Sequence, residues 1–167
     1  MPRNGINFFD KKYKPQTTRD SRFGICDEEP ACLNHNEKEE GQWGAKVNNK
    51  RQREILFVPI DKNITIKRDN GEEESRCDGL LHISESKTII FVELKDKQKR
   101  WQSKAILQLE NTIQIFKKHH SINDFKGCYA YACNKQFPNR VPNYVQKKKF
   151  IASTGFDLFC EDEIEIN

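Results

Sequence analysis

Two carboxylates and a lysine in the middle of the chain could act together. Asp78 lies in an apolar segment at 76–84, and Glu93 and Lys95 lie in another at 87–95. If these segments form a hairpin, a two-residue turn at 85–86 and a four-residue connection at 84–87 share one centre, so Asp78 faces Glu93. Lys95, two residues further along, projects from the same face of the sheet. A three- or five-residue connection would move Asp78 out of line.

This arrangement suits phosphodiester chemistry. Cross-strand neighbours have Cβ atoms about 4.5–5.5 Å apart, where like charges destabilise a sheet. A cation between the carboxylates would remove that cost, and Mg²⁺ prefers oxygen ligands such as carboxylates, water and phosphate. A nearby lysine can orient or deprotonate water, as in metal-assisted hydrolysis. The alternative is that Asp78-Gly79 is a simple turn and that Glu93 and Lys95 form an ordinary surface pair.

The surrounding pattern predicts the elements that would position these groups. Strands rich in Ile, Val, Phe and Thr are expected at 54–60, 64–68, 76–84, 87–95 and 127–134. Apolar residues at helical spacing, from Trp101 to Phe116, predict one long helix over 97–119. Short strands are expected at 150–153 and 156–160, and a short helix around 37–48. The order predicts an α/β (α+β) domain with a mixed central sheet.

The segments Asp78-Gly79 and Val92-Glu93-Leu94-Lys95 resemble the signature of PD-(D/E)XK nucleases. The resemblance covers about residues 54–134 and implies a restriction-endonuclease-like core. It implies that Asp78, Glu93 and the Leu94 carbonyl hold Mg²⁺ or Mn²⁺, and that Lys95 is the catalytic lysine. Cys77 replaces the usual proline.

Many members of that family add an upstream glutamate, for which Glu37, Glu39, Glu40 and Glu54 are all candidates. Gln108 resembles a helix glutamine that some members use, although a helix glutamine is more often simply solvated. Cys26, Cys32 and His35 form a C-x₅-C-x₂-H pattern without a clear fourth zinc ligand, so zinc is the weaker reading.

Charge is strongly segregated along the chain. The net charge of the 167 residues is only +4, but residues 95–149 contain 13 basic and three acidic residues. A basic patch of this kind attracts polyanions. Some of the cations expected to contact nucleic acid follow the Glu93-Leu94-Lys95 segment, here called the ExK motif, and others lie later in the same block. They are Lys97, Lys99, Arg100, Lys104, Lys147, Lys148 and Lys149.

Composition narrows the class of protein. The length fits one domain, which we expect at 37–167 after an irregular N-terminal arm at 1–36. No apolar stretch is long enough for a membrane helix, and the N-terminus lacks a secretory signal. The six cysteines are therefore expected to be reduced thiols in a cytoplasmic protein.

The sequence therefore predicts a Mg²⁺- or Mn²⁺-dependent nuclease that hydrolyses nucleic acid, with DNA as the expected substrate, by means of metal-activated water. The alternative is a non-catalytic module that keeps the nuclease fold and binds nucleic acid or a protein partner. A homodimer or a partner subunit would suit cleavage of both strands of a duplex.

Overall fold

The computed structural model describes residues 5–96, 100–137 and 141–167. In chain order, the strands and α-helices are β1 (Gln16–Thr18), β2 (Arg22–Cys26), β3 (Cys32–Asn34), β4 (Ala45–Asn48), β5 (Ile55–Pro59), β6 (Gly79–Ile83), β7 (Thr88–Lys95), α1 (Trp101–His119), β8 (Gly127–Asn134), α2 (Tyr144–Thr154), β9 (Asp157–Phe159) and β10 (Glu163–Glu165). None of the described helices is long and apolar enough to cross a lipid bilayer.

The strands form two sheets. The larger has six strands in the order β1-β5-β6-β7-β8-β9, and the smaller has four in the order β10-β4-β2-β3. Strand β7 is antiparallel to β6 and parallel to β8, with α1 as the connection between β7 and β8. The predicted mixed sheet, with a long helix after the ExK strand, is therefore confirmed.

Strand β7 is buried on both faces because it lies between two apolar layers. Ile89 and Phe91 pack in the core beneath α1, whereas Ile90 and Val92 pack in the core shared with the smaller sheet. Burial of both faces explains why β7 is an almost continuous apolar run. The larger sheet thus has helices on one face and the smaller sheet on the other.

Three short strands lie within residues 5–36, where the sequence predicted an irregular arm. Strand β1 pairs with β5 in the larger sheet, and β2 and β3 belong to the smaller one. Gly24 lies within β2, where only a glycine fits, because a Cβ there would come within 2.1 Å of the Trp43 ring. Strands of three to five residues are too short to show a clear period-two pattern.

Three smaller predictions also need correction. Residues 37–48 form a 3₁₀ helix (Glu37–Gln42) followed by β4, not one helix. Residues 64–68 contain only an isolated bridge between Lys67 and Glu73. Residues 150–153 lie in α2, where Phe150 and Thr154 are buried but Tyr144, Val145 and Ile151 are exposed, so no apolar period marks the helix.

Candidate active site

The hairpin of β6 and β7 has the predicted register. Gly79 pairs with Val92 and Ile83 pairs with Thr88, which leaves a four-residue connection. Just before β6, the backbone N–H of Asp78 donates to the Val92 carbonyl at 3.1 Å. Asp78 therefore continues the ladder opposite Glu93, on the face of the sheet that carries α1.

The backbone on both sides of Asp78 is held by neighbouring elements. The Asp78 carbonyl accepts from the N–H of Ile60 at 2.8 Å, and the preceding N–H, of Cys77, donates to Thr112 Oγ1 of α1 at 2.8 Å. The side chain is held too, since Oδ2 accepts from the Leu94 N–H at 2.7 Å. Asp78 is only 9% exposed, so this network fixes a carboxylate that water scarcely reaches.

Glu93 is more deeply buried than Asp78 and is only partly satisfied. It is 2% exposed, and its Oε2 lies 2.8 Å from Lys95 Nζ. Its Oε1 is buried and has no hydrogen-bond donor among the described residues, although the side chain is in hydrogen-bonding contact with that of Asp78. Two ionised carboxylates in such contact have no proton to share, so the pair requires either one proton or a cation.

The burial of the two carboxyl groups shifts their pKa values. Burial raises the pKa of Glu93 well above its usual range, and the negative charge of Asp78 adds to the effect. The pKa of Asp78 is also raised, chiefly by burial, although its contacts with Glu93 and with the Leu94 N–H oppose the change. Lys95 lowers both pKa values but carries only one positive charge.

The donor set fits a hard divalent cation. Mg²⁺ is commonly held by one or two carboxylates and completes its shell with water and phosphate oxygens. The unpartnered Oε1 of Glu93 supplies a ready ligand atom, and Leu94 adjoins the pair through its N–H. Within residues 5–96, 100–137 and 141–167, no group of three or more His, Cys, Asp or Glu side chains is arranged to hold a metal. A cation here would therefore depend on two carboxylates, backbone oxygen and water.

The four upstream glutamates proposed from the sequence are directed elsewhere. Glu40 pairs with Arg22, Glu54 pairs with Arg19 at 3.1 Å, and Glu39 accepts from Asn36 at 3.1 Å. The charge of the fourth, Glu37, acts on Arg22.

Two aspartates that the sequence did not single out instead interact electrostatically with Asp78. The negative charge of Asp61 raises the pKa of Asp78, and that of Asp78 raises the pKa of Asp27. Asp61 also pairs with Arg76 at 3.3 Å. Asp27 follows β2 on the smaller sheet, so no local signal in the sequence could have linked it to Asp78.

A cleft of about 190 Å³ opens beside Lys95. Its polar lining comes from both sheets and from the loop after β8: Asp27, Glu28, Gln42, Lys95, Asp96 and Lys135. Lys135, another residue not singled out, pairs with Asp96 at 3.4 Å. Two larger depressions, of about 350 and 410 Å³, share Phe159 and include none of the three predicted catalytic residues.

The predicted basic residues near the ExK motif are only partly described. Lys97 and Lys99 lie outside the described residues. Arg100 and Lys104 are exposed at the beginning of α1. Because α1 connects parallel strands, it begins at the sheet edge where β7 ends, which is the edge of Glu93 and Lys95.

The second basic group lies on α2, which also begins at this edge because β8 and β9 are parallel. Lys147 is engaged by β9, with its Nζ 3.4 Å from Asp157 Oδ1 and 4.8 Å from the centre of the Phe159 ring. Lys148 and Lys149 are exposed, and Lys148 lies over the ring of Tyr144.

The remaining candidates have structural partners. His35 Nδ1 lies 2.7 Å from Asp20 Oδ2, while Cys26 and Cys32 face each other across β2 and β3 as free thiols. Gln108 is not simply solvated, since its Nε2 donates to the Arg76 carbonyl at 3.3 Å.

Comparison of the chain with protein-family models, with curated proteins and with solved structures found no match.

Proposed function

We propose that this chain is a nuclease of the PD-(D/E)XK type, with a restriction-endonuclease-like core and a requirement for Mg²⁺ or Mn²⁺. Its substrate would be nucleic acid, with DNA as the proposed form. The observation that carries the proposal is the buried Asp78–Glu93 pair, in which Glu93 Oε1 has no donor among the described residues. Two buried carboxylates in contact lower the stability of the fold, and a bound divalent cation would offset their repulsion.

Asp78, Glu93 and Lys95 would have different roles in hydrolysis. Asp78 and Glu93 would hold the cation, with Asp78 fixed by the Leu94 N–H and Glu93 by Lys95. A divalent cation supplies stabilisation of charge on the phosphate and lowers the pKa of an attacking water. Lys95, whose side chain is 11% exposed, can turn from Glu93 Oε2 toward that water or a phosphate oxygen.

The exposed cations on the same sheet edge would bind the phosphate backbone. Arg100 directly precedes α1 and Lys104 lies in its first turn, whereas Lys148 and Lys149 lie in the middle of α2. Such contacts provide affinity and position and carry little sequence information. Binding should therefore weaken steeply with salt.

The test is cleavage of labelled single- and double-stranded DNA with Mg²⁺, Mn²⁺ or EDTA. Asp78→Asn, Glu93→Gln and Lys95→Ala should each abolish cleavage. Glu85→Gln is the matched control, since it removes a carboxylate at the other end of the same hairpin. Cleavage that persists in EDTA or in Asp78→Asn would reject the proposal. DNA binding without cleavage under every condition would instead establish the non-catalytic alternative.

A further inference from the structure

The connection between β2 and β3 brings an acidic residue from the smaller sheet to the candidate active site. The two sheets pack together through Ile25 on one side and Val92 and Leu94 on the other. The approach is close, since a Cβ on Gly44 would lie 3.2 Å from Leu94 Cδ2. Asp27, which follows β2, therefore shares the 190 Å³ cleft with Lys95.

Asp27 interacts electrostatically with Asp78 and with Lys95. Partial burial at the cleft wall raises its pKa, and the negative charge of Asp78 raises it further, while Lys95 opposes both effects. The neighbouring Glu28 lines the same cleft, but its carboxylate accepts from Cys32 Sγ at 3.3 Å. The two residues thus differ in the groups they act on, although they carry the same charge.

Asp27 adds a further negative charge near the buried carboxylates of Asp78 and Glu93. The two lysines of the cleft are already paired, Lys135 with Asp96 and Lys95 with Glu93. A further carboxylate near Asp78 repels it and would attract a cation bound to Asp78. Since no group of three carboxylates among the described residues is arranged to hold a metal, that attraction acts at a distance or through water.

We propose that Asp27 increases the affinity of the Asp78–Glu93 site for its divalent cation by charge alone, without binding the cation directly. This inference rests on the proposed function, because it requires that the pair bind a cation. It assigns a functional role to the smaller sheet, which places one acidic side chain over the end of β7.

The experiment measures Mn²⁺ affinity of the full chain by the electron paramagnetic resonance signal of free Mn²⁺, without nucleic acid. Asp27→Asn should weaken binding about threefold to tenfold at low salt, as expected for loss of one unit charge near a divalent ion. Glu28→Gln, the matched control, should change it less than about twofold by the same reasoning. Equal effects of the two substitutions would overturn the inference.

Salt distinguishes attraction at a distance from direct binding. The effect of Asp27→Asn should shrink between about 20 mM and about 300 mM NaCl, because mobile ions screen partly exposed charges. An effect that does not shrink would overturn the claim that Asp27 acts by charge alone.

Asp78→Asn separates this inference from the proposed function. If Asp78→Asn loses Mn²⁺ binding while Asp27→Asn binds Mn²⁺ as wild type does, only the proposed role of Asp27 is rejected. If Asp78→Asn still binds Mn²⁺ as tightly as wild type, the proposed function is rejected as well. Thermal unfolding of each variant verifies the fold, and Asp27→Ser provides a second substitution at the same exposed turn.

Discussion

Thr112 is expected to position Asp78, the proposed catalytic aspartate, although it lies on α1 and is completely buried. Its Oγ1 accepts from the Cys77 N–H at 2.8 Å and donates to the Gln108 carbonyl at 2.8 Å. Cys77 immediately precedes Asp78, so this contact fixes the chain from which the Asp78 side chain emerges. Thr112→Val keeps the shape of the side chain but removes the acceptor.

The loss of stability in each variant follows from the contacts of the Thr112 side chain. In Thr112→Val the buried Cys77 N–H loses its partner, which should lower the free energy of unfolding by about 1–3 kcal/mol. Thr112→Ser keeps the hydroxyl and removes one buried methyl group, which costs about 0.8 kcal/mol plus a small cavity term. Both variants are thus destabilised, Thr112→Val by the larger amount, but only Thr112→Val releases the Cys77 N–H.

Urea unfolding, Mn²⁺ affinity and the kcat and KM for a labelled oligonucleotide separate the two effects. Thr112→Val should weaken Mn²⁺ binding and lower kcat with little change in KM, while Thr112→Ser should stay close to wild type in both. If Thr112→Val and Thr112→Ser prove equal in Mn²⁺ affinity and kcat, Thr112 has only a structural role and the reasoning is refuted.

Three further predictions concern charge and packing. Because the pKa of Glu93 is raised in the folded protein, its contribution to stability is present at low pH and lost as pH rises through that pKa. In EDTA, wild type should therefore lose stability relative to Glu93→Gln in urea titrations as the pH rises above the ordinary pKa of a glutamate; parallel curves would contradict this. Gly24→Ala should cost about 3 kcal/mol or more, because its Cβ would overlap the Trp43 ring; thermal unfolding near the wild-type temperature would show that the ring can move. Replacing Lys148 and Lys149 by Gln should lower the salt slope of DNA binding by about 2, measured by fluorescence anisotropy, and an unchanged slope would place the DNA elsewhere.

The central hairpin could be predicted because its signal is local. Two apolar runs with a short connection between them predicted the register of β6 and β7, and therefore the pairing of Asp78 with Glu93. The long helix was visible for the same reason, since Trp101 and Phe116 mark the ends of one apolar stripe that is buried in the structure.

The smaller sheet was not predictable because its strands are short and pair over long distances in sequence. Strand β10, for example, pairs with β4, more than 100 residues earlier. Asp27 reaches the site only through this sheet. Thr112 gave no signal either, since a threonine within a helix resembles any other polar helix residue until the Cys77 N–H is placed against it.

The central claim is that a divalent cation occupies the contact between the Asp78 and Glu93 carboxylates. Its most direct test is anomalous X-ray scattering from crystals equilibrated with Mn²⁺. The account predicts one Mn²⁺ bound to both side chains, with Glu93 Oε1 among its ligands. The absence of an anomalous peak between the two carboxyl groups at saturating Mn²⁺ would contradict it.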